Sequence, residues 1–211
     1  MGVIKSGIIG PIRKKVGPSV NRVHRKTNVV TATYRTSNKP PTAKQLNEQA
    51  KFSLLNSFLS NIEELVKPGF KKYANSKTEI NAAYKFNFPH AFLVTEDQIS
   101  LNLPEIMYSR GRIATPDDTE LILTNNLIQF NWAQQSQNPS CQFSDRASFL
   151  LYNQEKEQSL QFIDVADRYD REYNVKIPID FKGDTLHCYM SFASADGKLA
   201  GDSVYIGIII P

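Results

Sequence analysis

Apolar residues between Leu46 and Val66 return at steps of three and four: Leu46, Ala50, Leu54/Leu55, Phe58/Leu59, Ile62 and Leu65/Val66. That spacing gathers them on one stripe of an α-helix. Pro40-Pro41 keeps the preceding chain extended, because each ring fixes φ and removes an amide donor. Thr42 then stands at the N-cap, with Gln45 three residues later to bond back to its amide. Lys67-Pro68-Gly69 supplies a stop, so the pattern predicts a main helix over about 42–66. A core helix is the simpler expectation and a partner-docking helix the alternative. A second capping box, Ser76-Lys-Thr-Glu79, predicts a shorter helix over about 77–88, through Ile80, Ala83, Tyr84 and Phe86, ending near Pro89.

From Gln98 the period changes to two. Ile99, Leu101 and Leu103 alternate with Ser100 and Asn102. Further β-rich runs are Glu120–Thr124, Leu127–Trp132, Ala147–Tyr152, Gln158–Val165, Tyr173–Pro178, Leu186–Ala193 and Ser203–Ile210. Turn residues separate several of them: Asn125-Asn126, Lys182-Gly183-Asp184 and Ala195-Asp196-Gly197. Short strands at this spacing predict an antiparallel immunoglobulin-like β-sandwich, with Trp132 in the place of a third-strand core tryptophan. The usual flanking cysteine pair is missing.

Ahead of the helices, glycines at 2, 7, 10 and 17 punctuate short apolar pieces, which predicts tight turns between short strands. Val29-Val30-Thr31-Ala32-Thr33-Tyr34 reads as a strand, and a small hairpin with basic residues along one edge is expected. The fold class is therefore α+β. A β-rich basic arm and two helices (1–96) precede an all-β sandwich (97–211).

Charge changes the picture more than composition does. The 211 residues are 41% hydrophobic and 10% aromatic, enough for real cores. Residues 1–47 carry six Lys and four Arg with no Asp or Glu, a charge of +10, whereas the remainder carries −6, giving +4 overall. A basic arm on an acidic body points to an acidic protein partner, the body of another copy, or a polyanion. Arg13, Lys14, Lys15, Arg22, Arg25, Lys26 and Arg35 are the candidate contacts. On nucleic acid these cations would follow the phosphate backbone with a salt-dependent affinity. Only Tyr34 offers the arm an aromatic ring for base stacking, and no nucleic-acid-binding signature is present. Assembly with itself or a protein partner is thus the first expectation, and nucleic-acid binding through residues 5–39 the second. No run is apolar for the ~18 residues of a membrane span. No signal peptide opens the chain, which predicts the cytoplasm, signal-independent export or a phage particle.

Candidate chemistry is sparse. His24, His90 and His187 stand far apart with no metal-ligand spacing, and no phosphate-binding glycine loop or nucleophile elbow occurs. Asp164, Asp167, Asp170 and Glu172 form an acidic cluster, but Arg168 and Arg171 interleave it, so a solvated, self-neutralising loop is expected. Asp117-Asp118 reads as a turn. Cys141 and Cys188 are expected as free thiols. No catalytic constellation, cofactor, metal or small-molecule substrate emerges, and the expectation is a protein that is not an enzyme.

Several stretches carry a resemblance. They are Met1-Gly-Val-Ile-Lys-Ser-Gly-Ile-Ile-Gly10, Lys15-Val-Gly17, Ser37-Asn-Lys-Pro-Pro-Thr-Ala-Lys-Gln-Leu46 and Asn81-Ala82-Ala83. Later come Ser109-Arg110-Gly111, Thr124-Asn-Asn-Leu127 with Trp132, and Ser194-Ala-Asp-Gly197. Together they resemble an uncharacterised family of similar length, a domain of unknown function abundant in Bacteroidota. The resemblance spans nearly the whole chain. It implies the architecture of arm, helices and sandwich, and no activity.

Overall fold

The Thr42 cap forms as its residues dictate: the Gln45 amide donates to Thr42 Oγ1 (3.3 Å) and the Thr42 amide to Gln45 Oε1 (2.9 Å). A computed structural model of the chain describes residues 2–4, 14–24, 27–34, 39–75, 77–95, 98–116 and 118–211. By its contacts the chain divides into two units, Met1–Gln45 and Leu46–Pro211. The expected boundary near residue 97 falls inside the second unit.

In the first unit, β1 (Gly2–Ile4), β2 (Lys14–Val16), β3 (Ser19–His24) and β4 (Thr27–Ala32) form an antiparallel sheet in the order β1-β4-β3-β2. The expected hairpin is β3–β4, and β1 and β2 extend it on either side. The turns expected around Gly7 and Gly10 lie outside the described residues.

The main helix departs from its expected end. α1 (Ala43–Asn61) breaks at Ile62, whose φ of −114° and ψ of 28° leave the helical region. α2 (Glu63–Phe70) restarts there, with the Leu65 and Val66 amides both donating to the Ile62 carbonyl (3.1 Å each). It then runs through Pro68 and Gly69, the residues expected to stop it. Tertiary packing outweighs propensity here. Leu65, Val66 and Phe70 are buried, and a Cβ on Gly69 would lie 2.6 Å from Ser109 Cα. The helix thus continues because its glycine lets a neighbouring backbone approach. α3 (Glu79–Asn87) is capped by Thr78, whose hydroxyl accepts from the Asn81 amide (3.2 Å). The box expected at Ser76–Glu79 is therefore displaced: Glu79 is the first helical residue, and Ser76 lies outside the described residues. A short hairpin, β5 (Phe92–Val94) with β6 (Ile99–Leu101), follows.

Seven strands make the sandwich: β7 (Thr119–Thr124), β8 (Leu127–Trp132), β9 (Arg146–Asn153), β10 (Gln158–Asp167), β11 (Glu172–Lys176), β12 (Leu186–Ala193) and β13 (Val204–Ile209). They pair antiparallel in two sheets, β10-β9-β12-β13 and β11-β8-β7. The chain crosses between sheets after β8, β10 and β11, an immunoglobulin-like arrangement with the fourth strand on the larger sheet. Trp132 closes the second sandwich strand, correcting its expected place on the third.

The central strands explain the shape of the body. On β9, Ala147, Phe149 and Leu151 enter the core between the two sheets, whereas Leu150 and Tyr152 face Phe58, Leu59, Ile62 and Val66 of the helical layer. On β12, Cys188, Met190 and Phe192 join the first core and Tyr189 the second. Both faces of the larger sheet are thus covered, which is why Phe149-Leu150-Leu151-Tyr152 is apolar without alternation.

Candidate functional site

Of the seven basic residues singled out by sequence, three are described, while Arg13, Arg25, Lys26 and Arg35 lie outside the described residues. Lys14, Lys15 and Arg22 are all exposed. Lys15 stands opposite Val20 on β3, and Arg22 lies two residues along from Val20. Because side chains alternate along a strand, Lys15 and Arg22 share a face. Lys14 stands opposite Asn21, whose parity differs, and opens β2 with a φ of 71°. The sheet therefore brings two of the three together and turns the third away.

The acidic cluster dissolves into separate structural roles. Asp167 pairs with Arg146 (2.6 Å), Asp170 accepts from the Asp167 amide (2.8 Å), and Glu172 accepts from Gln129 Nε2 (2.9 Å). Asp164 accepts a long bond from the Ser148 hydroxyl (3.4 Å). Arg168 corrects the expectation of a solvated loop: its side chain is 2% exposed and paired with an equally buried Asp145 (3.3 Å). It also donates to Gln135 Oε1 (3.0 Å) and the Ala114 carbonyl (2.5 Å), and its guanidinium lies 4.0 Å from the Phe192 ring centre. The Trp132 indole donates to its carbonyl (2.9 Å). A buried arginine so provided for ties β8, β10 and the loops around them together.

His187 is likewise structural. It is buried on β12, its Nδ1 3.0 Å from the Tyr205 hydroxyl and its Nε2 2.8 Å from Gln154 Oε1. Burial holds its imidazole below the ordinary value of 6.5, with Glu155 opposing. His90 packs edge-on to Phe86 (5.7 Å). Both cysteines are free and buried, and burial pushes the Cys188 thiol up to about 12. Among the described residues, no three His, Cys, Asp or Glu side chains are grouped to hold a metal ion, and no helix is long and apolar enough to cross a membrane.

One arrangement was marked in the sequence only by Ser109-Arg110-Gly111, one of the stretches that carry the resemblance, with no role attached. Tyr108 to Ile113 runs as a strap across the body, pinned by side-chain and backbone bonds. Ser203 Oγ accepts from the Tyr108 and Ser109 amides (2.9 and 3.2 Å), Ser109 Oγ donates to the Gly201 carbonyl (2.8 Å), and the Gly111 amide donates to Asp202 (2.8 Å). A Cβ on Gly111 would fall 1.7 Å from the Ala200 carbonyl oxygen, so only glycine fits. Arg110 sits at the middle of this strap, its amide bonded to the Gly69 carbonyl (3.2 Å). Its guanidinium lies over the rings of Phe86 and Tyr73, 4.5 and 4.8 Å from their centres.

Two solved structures share features with the chain. The chicken interferon gamma receptor alpha chain is 16% identical over 56% of this chain and 62% of its own, with a TM-score of 0.35. The chicken CNTN1 FN1–FN3 domains are 13% identical over 46% and 32%, with a TM-score of 0.28. The chain spans less than two thirds of either. Among curated proteins, none matches it significantly. A sequence model of one family matches residues 11–207, and the chain belongs to that family, a family of unknown function (DUF6266).

Proposed function

We propose that this protein is a non-catalytic interaction module that associates, with another copy or with an acidic protein partner, through its basic N-terminal sheet and the exposed first half of α1. The observation that carries this reading is that charge and fold divide at the same place. All ten basic residues of the first 47 fall within Met1–Gln45, the first unit, and the second unit holds the net −6. Each unit is thus an electrostatic complement of the other unit on a neighbouring molecule, the arrangement that steers association. The first half of α1 adds apolar surface, with Leu46 51% and Phe52 55% exposed. Among the described residues β1 and β2 are the edge strands of the first sheet, and they offer backbone groups for strand addition. Binding along a phosphate backbone is the second reading. It ranks lower because Tyr34 is the sole Phe, Trp or Tyr of the first unit.

Reversing charge at Lys14→Glu, Lys15→Glu and Arg22→Glu tests the reading. These side chains are exposed, so the far-UV circular dichroism should be unchanged while the mass of the associated species falls toward that of one chain. An unchanged assembly would remove the basic sheet from the account.

A further inference from the structure

Beside α3 lies a cleft of about 480 Å³, within the range of ~300–1,000 Å³ common to small-molecule sites. Phe70, Tyr73 and Phe86 supply its aromatic wall, and Lys77, Lys85 and Arg110 its charge. No Asp or Glu lines it. Although the second unit is acidic overall, this cleft is cationic. Its three cations make no ion pair among the described residues.

Arg110 gives the cleft its direction. The strap fixes its backbone, and its guanidinium carbon lies over the rings of Phe86 and Tyr73, 4.5 and 4.8 Å from their centres. The in-plane N–H groups of a guanidinium match the two oxygens of a carboxylate or phosphate. Among the described residues no acceptor takes them. An arginine anchored by its backbone and held over two rings has already lost part of the freedom that binding would otherwise cost.

We infer that this cleft binds a small oxyanion carried on an aromatic or other flat apolar group. The carboxylate or phosphate takes the N–H edge of Arg110, Lys77 and Lys85 add charge, and the apolar body lies on the aromatic wall. None of its lining residues belongs to the basic sheet or to the first half of α1, so it stands apart from the association proposed there.

Heteronuclear NMR titration of the full chain with phenyl phosphate, benzoate and the neutral benzyl alcohol tests it. Saturable binding of either anion, with Kd at or below about 1 mM and shifts centred on Tyr73, Phe86 and Arg110, is expected. Whichever anion binds more tightly assigns the head group. Arg110→Ala should weaken binding at least about tenfold, as expected for loss of a charge-assisted pair. Lys77→Gln with Lys85→Gln should weaken it too and flatten its salt dependence, and serves as the test if Arg110→Ala fails to fold. Equal binding of benzyl alcohol, no saturable binding, or anion affinity unaltered in these variants would overturn the inference.

Discussion

Arg168 is a charge buried in the sandwich, 2% exposed and paired with Asp145. Its charge is out of water, and Asp145, Gln135, Ala114 and the Phe192 ring together replace the lost hydration. Removing one partner of a buried pair leaves the other uncompensated, so Arg168→Ala should cost about 3–5 kcal/mol in denaturant unfolding. A loss below about 1 kcal/mol would mean that the pair is solvated in solution. Sequence could not show this, because Arg168 stands among the carboxylates of Asp164, Asp167 and Asp170, whereas its partner lies 23 residues away. His187 makes a pH prediction. With its folded value held below 6.5, the unfolded chain takes up a proton first as pH falls. Its contribution is full above the unfolded value of 6.5 and is lost as pH falls through the lower folded value. Stability followed between about pH 8 and pH 5 should therefore fall toward acid, and His187→Gln should flatten that slope. An identical slope in the variant would assign the loss to another group.

At the scale of elements, the strands were the more legible part. Leu127–Trp132 and Leu186–Ala193 emerge with the ends that their apolar and β-branched residues indicate, and Asn125-Asn126 makes the turn between β7 and β8 with positive φ at both residues. These are local signals, and local signals are what a sequence displays. The helix ends depended on partners distant in sequence. Pro68-Gly69 reads as a stop, yet α2 continues because Gly69 admits the Ser109 backbone. The Thr42 cap was visible and formed, while the second cap moved from Ser76 to Thr78. Gly69→Ala tests the close approach. The added methyl meets Ser109 Cα and Cβ, not a flexible chain end, so overpacking should cost about 1–3 kcal/mol although alanine is the better helix former. An unfolding midpoint equal to or above that of the parent chain would show that the strap gives way freely.

For the whole molecule, the decisive feature is the separation of charge between two units. It was legible from residues alone, since it needs only a count along the chain. The cationic cleft was not, because Tyr73, Phe86 and Arg110 come from three elements and meet only through the pinned strap. The α+β architecture and the sandwich were foreseen. The second, helical core on the outer face of the larger sheet was not, because it needs the pairing of β9 with β12 to be known. The most direct test of the account is the solution mass of the full chain by analytical ultracentrifugation at low and at high salt, with and without a mixed-sequence DNA duplex. The account predicts a discrete oligomer without DNA that dissociates as salt screens the charges. A chain of single mass at both salts, or one that gains mass only with the duplex and releases it in salt, would contradict it.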